Sequence, residues 1–242
     1  MKAFLLAAGF GTRLRPITDT TPKCMVPIHG RPLLGWWLDL FHTHGVTEVL
    51  VNTHYLYEPV REFIREYNEK NTGLTVYEAY EPSLLGSGGT IRDNKSFVEG
   101  EEDFLICYAD NLTDTDFSEF YKFHKKSGAA LTMALFHTNL PKQCGIAAVD
   151  ENGLITEFVE KPEEPKSNLA NAGMYIATNE IFDHLSDSTS PIDFGKDVLP
   201  NLIGKMYGWY TDGYIRDIGT MENYEKANEE WPYDNYKNTP EN

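Results

Sequence analysis

The fold of this chain is decided by the stretch Leu5-Leu6-Ala7-Ala8-Gly9-Phe10-Gly11-Thr12-Arg13-Leu14-Arg15-Pro16. An apolar run ends there in a glycine-containing turn, and glycine lets the backbone approach a phosphate group closely. Thr12 and Arg13 add a hydroxyl group and a bidentate cation beside the backbone N–H groups. The spacing is not that of a Walker loop, and Leu14 occupies the third glycine position of the dinucleotide fingerprint GxGxxG. The stretch therefore predicts a phosphate-binding loop directly after a buried strand.

Outward from this loop, the first half of the chain alternates strand-like apolar runs with amphipathic helical patterns. Strands are predicted at 3–8, 47–52, 74–79 and 104–108. Apolar side chains recur at helical spacing between Pro32 and Gly45, from Val60 to Tyr67 and from Phe117 to His124. Such alternation is typical of βαβ units and of a mostly parallel sheet.

The second half of the chain has a more mixed pattern. Strands are predicted at 130–137, 145–149, 154–160 and 171–177, with a turn at 150–153 and a last helix at about 220–230. No internal repeat is present, and no hexapeptide array predicts an added β-helix. We predict an α/β fold, with a Rossmann-like, mixed and mostly parallel sheet flanked by helices. It forms a single domain of residues 1–230, followed by a polar tail of residues 231–242.

Composition and charge restrict the classes of partner. The chain of 242 residues has 37 Asp and Glu against 21 Lys and Arg, a formal charge of −16. A nucleic acid or an acidic membrane surface would be repelled. No apolar run approaches the roughly 18–20 residues that span a bilayer. We therefore expect neither nucleic acid nor a membrane as a partner, and we expect an anionic small molecule to bind only where cations and N–H groups gather.

Three cysteines, Cys24, Cys107 and Cys144, are odd in number and far apart. This spacing supports neither a disulfide framework nor a cysteine-based zinc site. A reducing cytoplasm is the simplest location for such a chain.

The longer string resembles a known family. Gly-x-Gly-Thr-Arg-Leu-Arg-Pro at 9–16, followed by Pro22-Lys23, is similar to the signature of the sugar-1-phosphate nucleotidyltransferases, the pyrophosphorylases that make nucleotide sugars. The resemblance continues along nearly the whole chain in the segments Leu85-Gly86-Ser87-Gly88-Gly89, Tyr108-Ala109-Asp110-Asn111, Glu160-Lys161-Pro162, Asn171-Ala172-Gly173-Met174-Tyr175 and Arg216-Asp217-Ile218-Gly219-Thr220. One departure is Ala109, which stands where the family has the glycine of Gly-Asp-Asn.

The resemblance implies the nucleotide-diphospho-sugar transferase fold. Residues 1–130 would then form a nucleotide-binding half, and residues 131–230 a small, β-rich sugar-binding half. The implied reaction is the attack of a sugar 1-phosphate oxygen on the α-phosphorus of a nucleoside triphosphate, with pyrophosphate leaving. The attacking phosphate is already ionised, so catalysis needs positioning and charge stabilisation rather than a general base.

The resemblance also implies roles for individual residues. Arg13, Lys23 and Asp110 would be catalytic, and Asp110 and Asp217 would hold Mg²⁺, which prefers hard oxygen ligands. Contacts to the nucleotide are implied for Ala7, Ala8, Gly9, Gly11, Thr12, Arg13, Gly86, Ser87 and Gly88. Contacts to the sugar phosphate are implied for Lys23, Asn111, Gly145, Glu160, Lys161 and Asn171, with Lys161 fixing the phosphate group.

The nucleobase and the sugar are less closely determined. The Leu-Gly-Ser-Gly-Gly and Asn-Ala-Gly-Met-Tyr strings look most like those of guanylyltransferases that act on mannose- or heptose-type 1-phosphates. No glutamine lies between Leu84 and Gly89, where the thymidylyl branch usually has one. Transfer of another nucleotide to a different sugar or alcohol phosphate stays open, as do a catalytically idle nucleotide-sugar-binding module and a Rossmann oxidoreductase. The oligomeric state is also open, with a homo-oligomer among the alternatives.

Overall fold

The computed structural model describes residues 1–185 and 191–232. Its strands are β1 (Lys2–Leu6), β2 (Pro27–Ile28), β3 (Arg31–Pro32), β4 (Glu48–Thr53), β5 (Thr75–Tyr80), β6 (Asp103–Tyr108), β7 (Asn111–Thr113), β8 (Leu131–His137), β9 (Gly145–Val149), β10 (Ile155–Glu160), β11 (Leu169–Thr178), β12 (Met206–Tyr210) and β13 (Ile215–Asp217). Its α-helices are α1 (Leu33–Thr43), α2 (Tyr57–Glu69), α3 (Gly86–Asp93), α4 (Phe117–Ser127) and α5 (Met221–Glu230).

A mixed sheet of nine strands, counted within the described residues, forms the centre of the molecule. Seven strands follow the order β10-β9-β11-β6-β1-β4-β5, while β8 pairs with β11 and β12 pairs with β8. Strands β6, β1, β4 and β5 run parallel, and the long strand β11 joins them antiparallel to β6. The predicted α/β class with a mixed sheet flanked by helices is confirmed.

Both faces of the sheet are buried. Successive side chains of a strand point to opposite faces, so Leu5 packs with Trp37, Phe41 and other side chains of the helices on one face. Phe4 packs on the other face in a cluster that includes Phe194. Burial on both faces explains why the first strands read as continuous apolar runs.

Helix α3 and strand β12 are among the elements that the sequence patterns did not predict. The glycine-rich segment predicted as a contact loop is the first turn of α3, where Gly86 has a φ of +76°. A Cβ atom at Gly86 would lie 2.4 Å from the carbonyl oxygen of Ile192, so this close approach requires glycine. Strand β12 contains Gly208, which lowers strand propensity, and forms by pairing parallel to β8.

The end of the described chain differs from the expected polar tail at its first residue. Trp231 directly follows α5, is only 4% exposed and packs edge-on against Trp36 and Tyr214. Trp231, the first residue of the predicted tail, is therefore packed against the domain, because burial of its apolar ring is favourable. Residues 233–242 of the predicted tail lie outside the described residues. No helix in the described ranges is long and apolar enough to cross a membrane.

Candidate functional site

The predicted phosphate loop leaves the end of β1 and is held by its neighbours. The backbone N–H of Ala7 donates to Oδ1 of Asn52, at the end of β4, at 2.6 Å. Gly11 has a φ of +63°, and its carbonyl oxygen accepts a hydrogen bond from the Thr18 hydroxyl at 2.7 Å. A Cβ atom at Gly9 would meet no protein atom within 4 Å. The loop therefore leaves open space beside Gly9, where a ligand can approach the backbone.

A cavity of about 240 Å³ lies between this loop, the ends of β4 and β6, and the start of α3. Open α/β sheets bind ligands at the carboxyl ends of their parallel strands. Of the predicted nucleotide contacts, Ala7, Ala8, Gly9, Gly86 and Ser87 line the cavity. The remaining lining residues are Leu6, Lys23, Cys24, Asn52, Glu81, Leu84, Tyr108, Ala109 and Asp110.

Asp110 and Asp217 come together through a two-stranded antiparallel ribbon. Strand β7 pairs with β13 so that Asn111 lies opposite Asp217. The backbone N–H of Ile218 donates to the carbonyl oxygen of Asp110 at 2.7 Å, which closes the ribbon at this end. The indole N–H of Trp37 donates to the carbonyl oxygen of Asn111 at 2.7 Å and braces the ribbon against α1.

Lys23 places its ammonium group between the two carboxylates. Nζ lies 2.7 Å from Oδ2 of Asp110 and 3.4 Å from Oδ1 of Asp217. Burial would lower the pKa of Lys23, which is only 9% exposed, but the charges of Asp110 and Asp217 outweigh it and the pKa is raised. Burial, and then the neighbouring charge of Asp110, raise the pKa of Asp217. The cluster thus keeps a buried cation between two acids.

The arginines of the loop take different positions. Nη2 of Arg13 lies 3.8 Å from Oδ2 of Asp217, and its side chain is 64% exposed. Arg15 forms an ion pair with Asp19 at 3.1 Å. Thr12 is exposed at the start of the same short helical turn. Arg13 and Thr12 are therefore open to solvent beside the acidic pair, whereas Arg15 is engaged in a local contact.

A second group of predicted residues meets at the start of β9 and the end of β10. A Cβ atom at Gly145 would lie 2.6 Å from Oε2 of Glu160 and 2.6 Å from Cζ of Phe158, so the lack of a side chain at Gly145 allows this close approach. Lys161 has a φ of +49°, and its N–H donates to the carbonyl oxygen of Cys144 at 3.1 Å. Burial raises the pKa of Glu160 despite Nζ of Lys161 at 3.7 Å.

Asn111 and Asn171 use their side-chain amides within the protein. Asn171 donates from Nδ2 to the Tyr175 hydroxyl at 2.6 Å and accepts at Oδ1 from the N–H of Gly173 at 2.9 Å. Asn111 donates from Nδ2 to the carbonyl oxygen of Ala172 at 3.1 Å. These contacts hold the irregularity in β11, whose register shifts between Asn171 and Tyr175. Both amides are thus engaged in hydrogen bonds at the irregular part of β11.

Gly88 packs against the segment that follows residue 190. Its N–H donates to the carbonyl oxygen of Ile192 at 2.8 Å, and a Cβ atom on Gly88 would lie 2.7 Å from Cγ2 of Ile192. The neighbouring Ser87 accepts at Oγ from the N–H of Phe194 at 2.8 Å. Gly88 therefore supports the cavity from behind and does not line it.

Comparison with known proteins identifies the family. A sequence profile described as "Nucleotidyl transferase" matches residues 2–232. The chain belongs to the nucleotidyl transferase family. The resemblance found in the sequence motifs is thereby confirmed.

Relatives and solved structures agree with this family. The chain is 33% identical over 244 residues to the UTP–glucose-1-phosphate uridylyltransferase of Synechocystis, a match that covers 94% of this chain and 62% of that protein. It is 30% identical over 229 residues to the mannose-1-phosphate guanyltransferase of Candida albicans, covering 93% and 62%. The chain thus spans a little over three fifths of the length of these curated relatives.

Two solved structures share the fold of this chain. HddC from Yersinia pseudotuberculosis, complexed with GMP-PN, superposes with a TM-score of 0.79 at 25% identity and covers 94% of this chain and 98% of that chain. A UDP-glucose pyrophosphorylase complexed with UDP-glucose superposes with a TM-score of 0.81 at 24% identity, and the match covers 94% of this chain and 97% of that chain. At this identity the likeness is evidence for the shared fold only.

Sequence reasoning missed two buried polar residues of the candidate site. Asn52 is the second-last residue of β4, and Glu81 directly follows β5. Both line the cavity and are buried. The available signal was a polar side chain at the carboxyl end of a predicted parallel strand, where ligands bind in this class of fold.

Proposed function

We propose that this protein transfers a nucleoside monophosphate from a nucleoside triphosphate, with GTP favoured, to a sugar 1-phosphate of the mannose or heptose type. The products are a nucleotide sugar and pyrophosphate. The observation that carries the proposal is the buried ammonium group of Lys23 between the carboxylates of Asp110 and Asp217, at the edge of a cavity lined by the phosphate loop. Membership of the nucleotidyl transferase family supports the class of reaction.

Positive charge is what the proposed reaction needs most. Two unit charges about 4 Å apart repel by about 4 kcal/mol at an effective dielectric constant of about 20, and both substrates are polyanions. We propose that Arg13 holds the departing β- and γ-phosphates and that Lys23 stabilises the charge developing near the α-phosphate. Lys161 would hold the phosphate of the sugar, which attacks without a protein base.

The two carboxylates fit Mg²⁺, and the family relationship supports a divalent ion at this site. Asp110 and Asp217 supply hard oxygen donors, and the raised pKa of Asp217 reflects the closeness of the second acid as well as burial. Within the described residues no group of three or more His, Cys, Asp or Glu side chains forms a metal site. Waters and phosphate oxygens would therefore complete the coordination, as is usual for Mg²⁺. When bound, the ion would neutralise charge on the phosphates.

The preference for GTP is supported by two relatives. One is the guanyltransferase of Candida albicans, and the other is HddC, whose structure contains GMP-PN. A second candidate is uridylyl transfer to glucose 1-phosphate, which the 33% identity to the Synechocystis uridylyltransferase favours. We propose that Gly145, Glu160 and Asn171 contact the sugar, and the close approach of Gly145 and Glu160 supports this proposal for those two residues.

Pyrophosphate release by the purified protein with Mg²⁺ tests the proposal. GTP, UTP, dTTP and CTP would each be combined with mannose, heptose, glucose, galactose and amino-sugar 1-phosphates and with phosphocholine. We expect the highest rate with GTP and a mannose- or heptose-type acceptor. The highest rate with UTP and glucose 1-phosphate would establish the second candidate. Tight nucleotide binding by calorimetry without turnover in any combination would indicate a catalytically idle binding module.

The change Lys161→Ala is expected to raise the KM for the sugar phosphate by about 10- to 100-fold, because a charge-assisted contact worth roughly 1.5–3 kcal/mol is lost. The KM for the triphosphate is expected to change much less. Initial-rate kinetics with each substrate varied in turn measure both constants. Lys166→Ala is the matched control, since Lys166 pairs with Glu157 outside this group. Equal effects on both substrates would reassign Lys161 to the nucleotide.

The change Gly219→Ala is expected to lower kcat by about 10²-fold at nearly unchanged Tm. An added Cβ atom would lie 2.7 Å from Oδ1 of Asp217 and 2.9 Å from Nη2 of Arg13. Both atoms end flexible side chains, so we expect these side chains to shift while the backbone fold is kept. A misplacement of about 1 Å at a reacting group can lower the rate by about 10²-fold. Steady-state rates and thermal unfolding measure the two effects. A wild-type rate would show that Asp217 and Arg13 need no fixed position.

We further propose that residues 1–130 serve the nucleotide and residues 131–230 the sugar phosphate within one domain. The three cysteines are free thiols, which supports our proposal of a cytoplasmic location. Whether the working form is a homo-oligomer is a question for sedimentation or light scattering.

A further inference from the structure

The middle of the phosphate loop carries one large apolar side chain, that of Phe10. The residue stands between Gly9 and Gly11, its ring is 46% exposed, and its side chain has no part in the roles proposed above. A residue with glycine on both sides lies in a segment of low intrinsic stiffness, because glycine allows many backbone conformations. The contacts of the Phe10 ring therefore decide how firmly the middle of the loop is held.

The ring of Phe10 rests on the segment that joins β4 to α2. It packs edge-on against the imidazole ring of His54, with ring centroids 5.4 Å apart, and lies tilted against the ring of Tyr55, with centroids 5.8 Å apart. Both separations fall within about 4.5–7 Å, the range of favourable aromatic pairs. The loop is thus attached through one side chain to two aromatic residues outside it.

The two aromatic partners are themselves fixed by hydrogen bonds. Nδ1 of His54 donates to the backbone carbonyl oxygen of Glu81 at 2.7 Å. The hydroxyl group of Tyr55 donates to the carbonyl oxygen of Asp19 at 3.4 Å. Because His54 directly follows β4 and Glu81 directly follows β5, the support for Phe10 comes from the edge of the sheet that borders the cavity.

The two ends of the loop are held separately. Asn52 accepts the N–H of Ala7 at the start, and Thr18 donates to the carbonyl oxygen of Gly11 at the end. Three residues lie between these points, and the first two of them, an alanine and a glycine, offer a methyl group and no side chain. Phe10 is thus the residue whose side chain can fix the middle of the loop.

We propose that Phe10 is a positioning residue for the triphosphate. Its ring, seated on His54 and Tyr55, holds the backbone N–H groups of the loop in place for the β- and γ-phosphates. The inference rests on the proposed function and adds a residue that acts through the backbone without touching the substrate. A loop that is ordered before the ligand arrives binds more tightly, because less conformational freedom is lost on binding.

The test compares ligands with and without β- and γ-phosphates. Isothermal titration calorimetry with Mg²⁺ and without sugar phosphate gives the affinities of GTP, UTP, their monophosphates and inorganic tripolyphosphate. For Phe10→Ala we expect about 10-fold weaker binding of the triphosphates and of tripolyphosphate, because two aromatic contacts are lost, and unchanged binding of the monophosphates. Phe10→Tyr keeps the ring and is expected to keep the affinities of the unmodified protein. An equal loss for monophosphates and triphosphates would overturn the assignment.

Tyr77→Ala is the matched control. Tyr77 on β5 is 45% exposed, and its ring packs against Phe97 instead of the phosphate loop. We expect it to leave every affinity unchanged. A double-mutant cycle with Tyr55→Ala tests the contact itself. The loss caused by Phe10→Ala is expected to be smaller in the Tyr55→Ala protein, where part of the support for the ring is already missing, and additive losses would contradict the proposal.

The outcomes separate this inference from the proposed function. Weaker triphosphate binding by Phe10→Ala, in a protein that releases no pyrophosphate with any acceptor, would sustain the role of Phe10 and refute the reaction. Pyrophosphate release with equal triphosphate affinities in the two proteins would sustain the reaction and refute the role of Phe10. A fall in Tm at an unchanged ratio of triphosphate to monophosphate affinity would assign Phe10 to stability alone.

Discussion

The change Asp110→Asn is expected to lower kcat by about 10³-fold while the protein stays folded. Asp110 accepts the shortest contact of Lys23, at 2.7 Å, and is proposed to hold the metal ion. Asparagine keeps the size of the side chain but removes its charge. A metal ion stabilises the charge that develops on the phosphates in the transition state by several kcal/mol. An increase of about 4 kcal/mol in the activation free energy lowers the rate by about 10³-fold.

Pyrophosphate release at saturating substrates and thermal unfolding measure this effect. Asp93→Asn is the matched control, because Asp93 is exposed and its carboxylate accepts from Arg92 outside the acidic pair. A wild-type rate for Asp110→Asn would remove Asp110 from the mechanism. A large fall in Tm would instead show that its charge serves mainly to hold Lys23.

The change Lys23→Met is expected to lower kcat by about 10²- to 10³-fold, the range found when one group that stabilises transition-state charge is removed. Methionine keeps an unbranched, flexible side chain in the buried space. The change also leaves the carboxylates of Asp110 and Asp217 without the ammonium group between them. We therefore expect Mg²⁺ to bind the nucleotide-free protein more tightly in the variant, because Nζ no longer competes for both acids.

Steady-state kinetics and Mg²⁺ titration by calorimetry measure the two effects together. Lys126→Met, on the exposed face of α4, is the control. A lower rate with unchanged Mg²⁺ affinity would show that Lys23 acts on the phosphates without competing with the ion. An unchanged rate would contradict the role of Lys23 altogether.

Much of the fold follows from local patterns. Apolar runs and helical stripes predicted β1, β4, β5, β6, α1, α2 and α4 close to their observed bounds. The hydrophobic period of a strand or helix depends only on which residues are near in the chain. Strand β12 and helix α3 escaped prediction because glycines interrupt their local signal and contacts with β8 and Ile192 stabilise them.

The candidate site was likewise predicted only in part from the sequence. The loop motif and the segments around Asp110, Glu160 and Asp217 identified the family from their order alone. Their order could not show that the side-chain amides of Asn111 and Asn171 form hydrogen bonds with the backbone of β11. It also could not show that Arg15 pairs with Asp19. These contacts depend on side-chain directions that only packing sets.

The sequence by itself determined the fold class, the family and the place of the proposed phosphate loop after β1, because these depend on periodicity and on motifs of neighbouring residues. The tertiary structure decided which of the motif residues meet. The β7–β13 ribbon brings Asp217 to Asp110, and the buried side chain of Asn52 joins the phosphate loop to Glu81. Contacts between residues far apart in the chain arise only when burial of the shared core offsets the entropy of bringing them together.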